Sequence, residues 1–234
     1  MAQPSAAHVN MPTTVSLDIP SSALFCGEKI SLERYDMRER YDREQLTFQY
    51  MHSSSIQLVK RANRYFPVIE PILKENGVPD DFKYLATIES MLDPRAVSPA
   101  KAAGIWQFLE STGREFGLEV NSEIDERYHV EKATVAACKY LKSAYAKYGD
   151  WATVAAAYNA GMHKISAEQD KQAVQSSFDM LLASETSRYV FRILAVKAFL
   201  ENPQKFGFKI KREHLYHTVG TNEVKVSGAI ADWT

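Results

Sequence analysis

Long apolar runs are missing from this sequence of 234 residues. The longest candidate, residues 190–200, is interrupted by Arg192 and Lys197, and a membrane-spanning helix needs about 20 mostly apolar residues. The first residues also lack a basic stretch followed by an apolar core, so no signal peptide is predicted. We therefore expect no integral membrane segment in this sequence.

An excess of charge of one sign is missing as well. The chain has 28 Lys and Arg against 29 Asp and Glu, which gives a net charge of −1. Without a global basic field, no nucleic-acid partner is predicted. The hydrophobic content of 45% and charged content of 24% are those of an ordinary globular protein, so we expect one large domain with or without extensions.

Cysteine is scarce, and the patterns that hold metals or cofactors are absent. Cys26 and Cys138 could pair, but Cys138 falls on the apolar side of a predicted helix, which favours two free thiols. The six histidines show no ligand spacing, and no serine elbow or glycine-rich phosphate loop occurs. The sequence predicts neither a metal nor a cofactor.

Helical periodicity dominates the middle of the chain, between residues 41 and 205. Capping and stop signals mark most of the ends, such as Gly149 and Gly161 after two helices. Residues 162–174 are polar, and their pattern does not decide which element they form. The first predicted helix is 42–65, with a bend at the serines 53–55, and a short second helix flanked by Pro67 and Pro71 ends at residues 76–77. The other predicted helices are 82–92, 109–116, 131–148, 151–160, 178–182 and 187–200.

The two ends of the chain differ from this helical region. Residues 1–40 are expected to be extended or disordered, because their first half has no period and their second half is densely charged. Residues 206–234 alternate as β-strands do. We expect this β-like tail to pack along the helical domain.

Glu89 stands out within the predicted helix 82–92. Apolar residues recur at Phe82, Leu85 and Ile88, so helical spacing places Glu89 on or beside the buried face. Desolvation disfavours the charged form of a carboxyl and raises its pKa, which suits a general acid near neutral pH. A buried Glu paired with Lys83 or Arg95 would show the same spacing.

Four short blocks carry a resemblance to a known family. They are Glu89-Ser90, Ser98-Pro-Ala, Ala103-Gly-Ile-Trp-Gln-Phe and Ala157-Tyr-Asn-Ala-Gly. In order and spacing they resemble the signature blocks of lytic transglycosylases, bacterial enzymes that cleave peptidoglycan, and the likeness covers residues 67–202. The resemblance implies a mainly α, goose-type-lysozyme-like domain.

The resemblance also implies a location and a partner. The family works in the cell envelope, so a periplasmic or envelope location is expected, with an export signal that is not part of this sequence. Peptidoglycan glycan strands are the expected binding partner. Protein partners are not indicated.

Residue roles follow from the same resemblance. Glu89 matches the single catalytic Glu, which protonates the glycosidic oxygen and then accepts the proton of the C6 hydroxyl of N-acetylmuramic acid, so a 1,6-anhydro ring forms. Such a mechanism needs no second carboxylate, and Asp93, which precedes a proline, is interpreted as a turn residue. The expected substrate-binding residues are Ser98, Gly104, Gln107, Tyr158, Asn159 and Tyr189.

Each of these residues also has a plain structural interpretation. Ser98 suits a Ser-Pro turn, Gln107 a helix surface and Tyr158 a core position with its hydroxyl satisfied. Gly104 is expected to let the backbone approach a sugar closely, and the Tyr189 hydroxyl is expected to reach Glu89. Three other functions stay open at this stage: a muramidase-type hydrolase of the same fold, an inactive peptidoglycan-binding protein and a helical scaffold.

Overall fold

A computed structural model describes residues 15–221, 224–225 and 227–228. Within them the chain is mainly helical, with one two-stranded antiparallel sheet, so the predicted fold class is confirmed. No helix among these residues is long and apolar enough to cross a membrane. The elements are β1 (Ser22–Phe25), β2 (Glu28–Ser31), α1 (Tyr35–Tyr50), α2 (His52–Glu75), α3 (Phe82–Ser90), α4 (Glu110–Glu115), α5 (Val130–Tyr148), α6 (Trp151–Ala160), α7 (Met162–Gln172) and α8 (Ser184–Glu201), with 3₁₀ turns at Glu126–Tyr128, Pro203–Phe206 and Arg212–His214.

The N-terminal part has more regular structure than the sequence pattern predicts. Residues 1–14 lie outside the described residues, but from residue 22 onward a β-hairpin replaces the expected extended chain. Cys26 and Gly27 form its turn with φ values of 53° and 84°, the pair of positive angles that a two-residue hairpin turn uses. Phe25 and Ile30 are buried, so the hairpin belongs to the domain.

Helix α1 begins at Tyr35, earlier than the predicted start at residue 42. Among the densely charged residues, Met37, Tyr41 and Phe48 form an apolar stripe on one side of the helix and are buried. This stripe packs against α8. Tertiary packing therefore stabilises a helix in residues 35–41, whose dense charges alone predict a solvent-exposed segment.

Helix α2 runs through Pro67 and Pro71, which were expected to flank a separate short helix. Each proline removes one backbone hydrogen bond, an effect of about 3 kcal/mol. Ile69 and Leu73 on the same turns are fully buried, and burying such side chains opposes that loss. The chain bends at Met51 instead of at the predicted serines 53–55, because Met51 interrupts the helix between α1 and α2.

Helix α3 lies in the core and packs against α2 and α8. Phe82 and Leu85 are fully buried. Helix α6, which is rich in alanine, fits closely between α5 and α8. The C-terminal ends of α3 and α6 and the N-terminal end of α8 all border one cleft.

The segment before α8 differs from its prediction. Helix α7 forms where no regular element was predicted, and residues 178–182, predicted as a helix, are a turn and irregular chain. Arg34 explains the turn, since Nη2 donates to Phe178 O at 3.0 Å and Nη1 to Asp179 Oδ1 at 2.5 Å. These bonds hold the segment without a helix.

The C-terminal segment contains no strand among its described residues, so the β-like prediction is wrong there. A 3₁₀ turn and irregular chain occupy residues 209–221, and the predicted strand near residue 223 lies partly outside the described residues. The segment is anchored just before this irregular chain, where Phe206 and Phe208 pack on Phe199 of α8. Farther on, Asn63 Nδ2 donates to Tyr216 O at 2.9 Å.

Candidate active site

A cleft of about 610 Å³ opens where α3, α6, α8 and the loop of residues 91–109 meet. Five of the seven residues singled out from the sequence line it together. The lining residues are Glu89, Ser98, Pro99, Ala100, Ala102, Gln107, Phe108, Leu109, Thr112, Tyr140, Tyr158, Asn159, Ala160, Gly161 and Glu185. Tyr189 and Gly104 are not among them.

Glu89 occupies the last turn of α3 because the helix ends abruptly after Ser90. Met91 and Leu92 both adopt left-handed backbone angles, with φ of 53° and 54°, so the helix stops before Asp93 and Pro94, where the sequence predicted its end. Leu92 is fully buried, and its packing can hold this uncommon conformation. The carboxyl of Glu89 is thereby placed in the wall of the cleft.

Asp93 is a turn residue, as the sequence analysis favoured. Its Oδ2 accepts a hydrogen bond from Arg61 Nη2 at 3.0 Å, and its Oδ1 accepts from the backbone N–H of Arg95 at 3.0 Å. Asp93 does not line the cleft, so it supplies no second carboxylate there.

The Tyr189 hydroxyl donates a hydrogen bond to Glu89 Oε1. Burial raises the pKa of Glu89, while the Tyr189 hydrogen bond and the positive charge of Arg192 lower it and the negative charge of Glu185 raises it. Burial and the neighbouring Glu89 also keep the pKa of Tyr189 well above its usual value, so the phenol stays a donor. A raised pKa favours the protonated carboxyl, and a protonated carboxyl facing a cleft can deliver its proton to a bound oxygen.

Helix α8 brings Tyr189 to this position from a hundred residues away. The helix begins at Ser184, not at the predicted Ser187, so Tyr189 lies in the second turn. Val190 and Ile193 are buried beside it and anchor the helix in the core. Tyr189 itself is 1% exposed, which leaves its hydroxyl at the inner wall behind Glu89.

Ser98 and Gln107 brace the loop that forms one side of the cleft. Gln107 Nε2 donates to Ala96 O at 3.0 Å and to Gly104 O at 2.8 Å, and Ser98 Oγ accepts from the N–H of Ala102 at 3.1 Å. Both side chains also line the cleft. Ser98 lies in the turn that its sequence suggested, whereas Gln107 lies in a turn and not on the expected helix surface.

Gly104 has a packing role that the sequence analysis missed. Its φ is +79°, and a Cβ at this position would lie 1.8 Å from Arg127 O. The close backbone approach at Gly104 is therefore to Arg127, and no sugar is needed to account for it. Arg127 also anchors the loop of residues 91–109, because its Nη1 donates to Lys101 O at 2.9 Å and to Phe108 O at 3.1 Å.

Helix α6 supplies the wall opposite the loop. The Tyr158 hydroxyl donates to Trp106 O at 2.7 Å, and Asn159 Oδ1 accepts from Thr186 Oγ1 at 2.8 Å. Trp106 is fully buried and its Nε1 donates to Thr134 Oγ1 at 2.8 Å, so it belongs to the core. These bonds fix the orientations of Tyr158 and Asn159 in the wall of the cleft.

Glu185 is a cleft residue that the sequence analysis did not single out. It is exposed, lies one helical turn before Tyr189 on α8 and lines the cleft with Glu89. The sequence contains a signal for Glu185: it is four residues before Tyr189, and residues four apart on a helix share a face. Glu185 is far from Glu89 in the sequence, and only the packing of α8 on α3 brings both carboxylates into one cleft.

Neither a metal site nor a disulfide is found in the described residues. No three of their His, Cys, Asp and Glu side chains cluster as ligands. Cys26 and Cys138 are free thiols, in agreement with the favoured interpretation. Burial raises the pKa of Cys138 to about 12, so this thiol is unreactive.

Comparison with known proteins matches most of the residues that line this cleft to one family. Residues 66–180 match the family described as the transglycosylase SLT domain. Two relatives named membrane-bound lytic murein transglycosylase D, from Escherichia coli K12 and from E. coli O6:H1, are each 30% identical over 194 residues, 80% of this chain and 42% of the relative. The chain thus spans less than half the length of these relatives.

A third relative is more distant. A protein of Alteromonas sp. (strain M-1), named for resistance to tributyltin chloride, is 26% identical over 106 residues. This alignment covers 45% of the chain and 51% of that protein.

Proposed function

We propose that this protein, whose residues 66–180 match the transglycosylase SLT domain, is a lytic transglycosylase acting on peptidoglycan glycan strands. The observation that carries the proposal is the Glu89 carboxyl, which meets the Tyr189 hydroxyl at the inner wall of the cleft. Burial raises the pKa of Glu89, which is the direction that a general acid needs.

In the first step Glu89 donates its proton to the glycosidic oxygen between N-acetylmuramic acid and N-acetylglucosamine. The bond from C1 of the muramic acid to that oxygen breaks, and positive charge develops at C1. The N-acetylglucosamine side leaves with a new hydroxyl. Glu89 is then a carboxylate, and the Tyr189 hydroxyl bonded to it stabilises the ionised form.

In the second step the same carboxylate acts as the base. It accepts the proton of the muramic acid C6 hydroxyl while that oxygen bonds to C1, which closes the 1,6-anhydro ring and restores the protonated acid. No water is consumed, so the reaction depends on a cleft in which the C6 hydroxyl competes successfully with water.

The remaining cleft residues bind the substrate in this proposal. Asn159 and Gln107 present amides, Ser98 a hydroxyl and Tyr158 an aromatic ring to the cleft space. Sugar hydroxyls and acetamido groups offer the matching donors and acceptors. Gly104 contributes through the loop that it allows to pack on Arg127.

A muramidase-type hydrolase is the second candidate, and Glu185 is the observation that favours it. Two-carboxylate glycosidases use one group as the acid and the other as the base or nucleophile, and Glu185 shares the cleft with Glu89. In that reaction water would reach C1 and the product would carry a reducing end.

Mass spectrometry of the soluble products from purified peptidoglycan separates the candidates. Anhydro-muropeptides support the transglycosylase, and reducing ends alone would favour the hydrolase. Bound but intact strands would indicate a binding protein. The Glu89→Gln variant, incubated in parallel, identifies products that come from contaminating enzymes.

A location in the cell envelope is part of the proposal. The E. coli relatives are named as membrane-bound murein enzymes, and peptidoglycan lies outside the cytoplasmic membrane. Fractionation of cells that produce the protein naturally tests this, because recovery with the cytosol would contradict it.

A further inference from the structure

The carboxyl-bearing end of α3 is held by an arginine from α8. Helix α3 ends at Ser90, so its last carbonyl groups have no partner within the helix. Arg192 Nη2 donates to one of them, Ile88 O, at 3.2 Å. This carbonyl belongs to the residue that directly precedes Glu89.

Arg192 and Tyr189 reach α3 from the same face of α8. They are three residues apart, which places them side by side on a helix. Tyr189 contacts the carboxyl of Glu89 and Arg192 the backbone of Ile88, so two adjacent residues of α3 are fixed by one turn of α8.

From this geometry we propose that Arg192 is a positioning residue for Glu89, which fixes the last turn of α3 and supplies the positive charge that stabilises the Glu89 carboxylate between the two proton transfers. The inference rests on the proposed function, because it assumes that Glu89 gives up and regains a proton.

The charges around Glu89 make Arg192 distinct. The groups that act on Glu89 are Tyr189, Arg192 and Glu185 from α8, and Tyr158 of α6 lies close enough for Glu89 to affect it. Arg192 contributes the positive charge in this set and makes no ion pair within the described residues. Its charge is therefore not neutralised by a neighbouring acid.

Arg61 provides a matched control on the same helix end. Its Nη1 donates to Met91 O at 3.0 Å, but its Nη2 pairs with Asp93 Oδ2 at 3.0 Å. Arg61 thus holds the end of α3 in a similar way while its charge is compensated. A purely structural role for Arg192 predicts the same behaviour for both arginines.

The experiment compares Arg192→Gln, Arg192→Lys and Arg61→Gln in the full chain. We expect kcat of Arg192→Gln on peptidoglycan to fall about tenfold, a fraction of what acid–base catalysis contributes. The basic limb of its kcat/KM profile should move to higher pH, because loss of a nearby cation raises the pKa of a carboxyl. The basic limb of the Arg192→Lys profile should lie at the same pH as that of the parent. Arg61→Gln should lower thermal stability without changing the pH of the basic limb.

A carboxyl ¹³C titration of Glu89 gives a readout that needs no turnover. The midpoint should rise in Arg192→Gln and stay in Arg61→Gln. Equal midpoints in both variants and the parent would overturn the inference. If Arg192→Gln does not fold, the test uses Arg192→Lys. An upward shift of the Glu89 titration midpoint in that variant would also overturn the inference.

Failure of the inference and failure of the proposed function are distinguishable. A parent protein that releases no anhydro product refutes the function. A parent that releases it, together with Arg192 and Arg61 variants that have identical pH profiles, refutes only the role of Arg192.

Discussion

At the scale of single residues, the cleft depends on a carboxyl and a phenol that come from two different helices. Glu89 is held at the end of α3, and Tyr189 reaches it from α8. Burial alone would favour the protonated carboxyl, and the phenol partly offsets this by stabilising the ionised form. A group that must first give and then take a proton benefits from this balance.

Glu89→Gln should reduce peptidoglycan turnover by at least about a hundredfold, because the variant has no proton to donate. Turbidity loss of a purified wall suspension measures this, with circular dichroism as the control for folding. Turnover within tenfold of the parent would remove Glu89 from the mechanism.

The same variant also tests the pKa of Glu89 through stability. Burial raises the folded-state pKa of Glu89, so the stabilisation of the parent relative to Glu89→Gln is complete below the unfolded value of about 4.3. It is lost as the pH rises through the raised folded value. Urea unfolding gives the free energy of unfolding of both proteins between about pH 4 and pH 7. As the pH rises over this range, the free energy of unfolding of the variant should increase relative to that of the parent. A constant difference between the two proteins would contradict a raised pKa.

Tyr189→Phe should leave packing intact and delete one hydrogen bond, so the free energy of unfolding should fall by about 1 kcal/mol at most. Turnover should fall well beyond that amount. Because burial raises the pKa of Glu89 and the Tyr189 hydrogen bond lowers it, the basic limb of kcat/KM should move to higher pH. If both rate and pH profile match the parent, Tyr189 only fills the core.

Glu185→Gln should move the limb in the opposite direction. Burial is the main cause of the raised pKa of Glu89, and the negative charge of Glu185 adds to it. Its removal should therefore shift the basic limb to lower pH while anhydro products persist. If turnover stops and the parent is found to release reducing ends, Glu185 is the second carboxylate of a hydrolase.

At the scale of elements, Asp81 joins the hairpin to two helices. Its Oδ2 accepts from the N–H of Cys26 at 2.7 Å and from Lys197 Nζ of α8 at 2.8 Å. Lys197 Nζ also donates to Leu24 O at 3.0 Å. Asp81 directly precedes α3, but its side chain makes no cap bond to that helix.

Asp81→Ala should lower the free energy of unfolding by about 2–3 kcal/mol, since charged hydrogen bonds at partly buried groups are lost. Asp80→Ala is the matched control. Asp80 is largely exposed where it pairs with Lys83, so its loss should cost about 1 kcal/mol or less. Equal effects in urea unfolding would show that Asp81 does not anchor the hairpin.

At the scale of the whole molecule, the C-terminal segment is anchored by two aromatic residues. Phe206 and Phe208 are buried against Phe199. Beyond them the chain contacts α2 through backbone carbonyls of Tyr216 and His217. We propose that this segment supports the helical domain and does not recruit substrate.

Deletion of residues 209–234 should lower the melting temperature and leave affinity for purified wall unchanged. Deletion of residues 205–234 should destabilise much more, because removal of each buried Phe costs about 3–5 kcal/mol. Differential scanning fluorimetry and a wall-pelleting assay with Glu89→Gln as the background measure both properties. A stable 209–234 deletion that no longer pellets with wall would make the segment a binding element.

The sequence by itself determined the features that depend on short stretches of chain. The ends of α5 and α6 agree with their prediction to within one residue, because Gly149 and Gly161 stop both helices locally. The place of Glu89 on a largely apolar helix followed from spacing alone. The family followed from short blocks such as the one around Trp106, each of which is contiguous in sequence.

Only the tertiary structure decided how distant segments meet. Helix α2 continues through two prolines because its buried face packs in the core, and the expected strands after residue 206 do not form among the described residues because no neighbouring strand pairs with them. Glu89 and Tyr189 are a hundred residues apart, and Gly104 and Arg127 meet across two loops. Such contacts depend on the register in which α8 packs on α3, and that register is set by side-chain packing over the whole core, which no local pattern encodes.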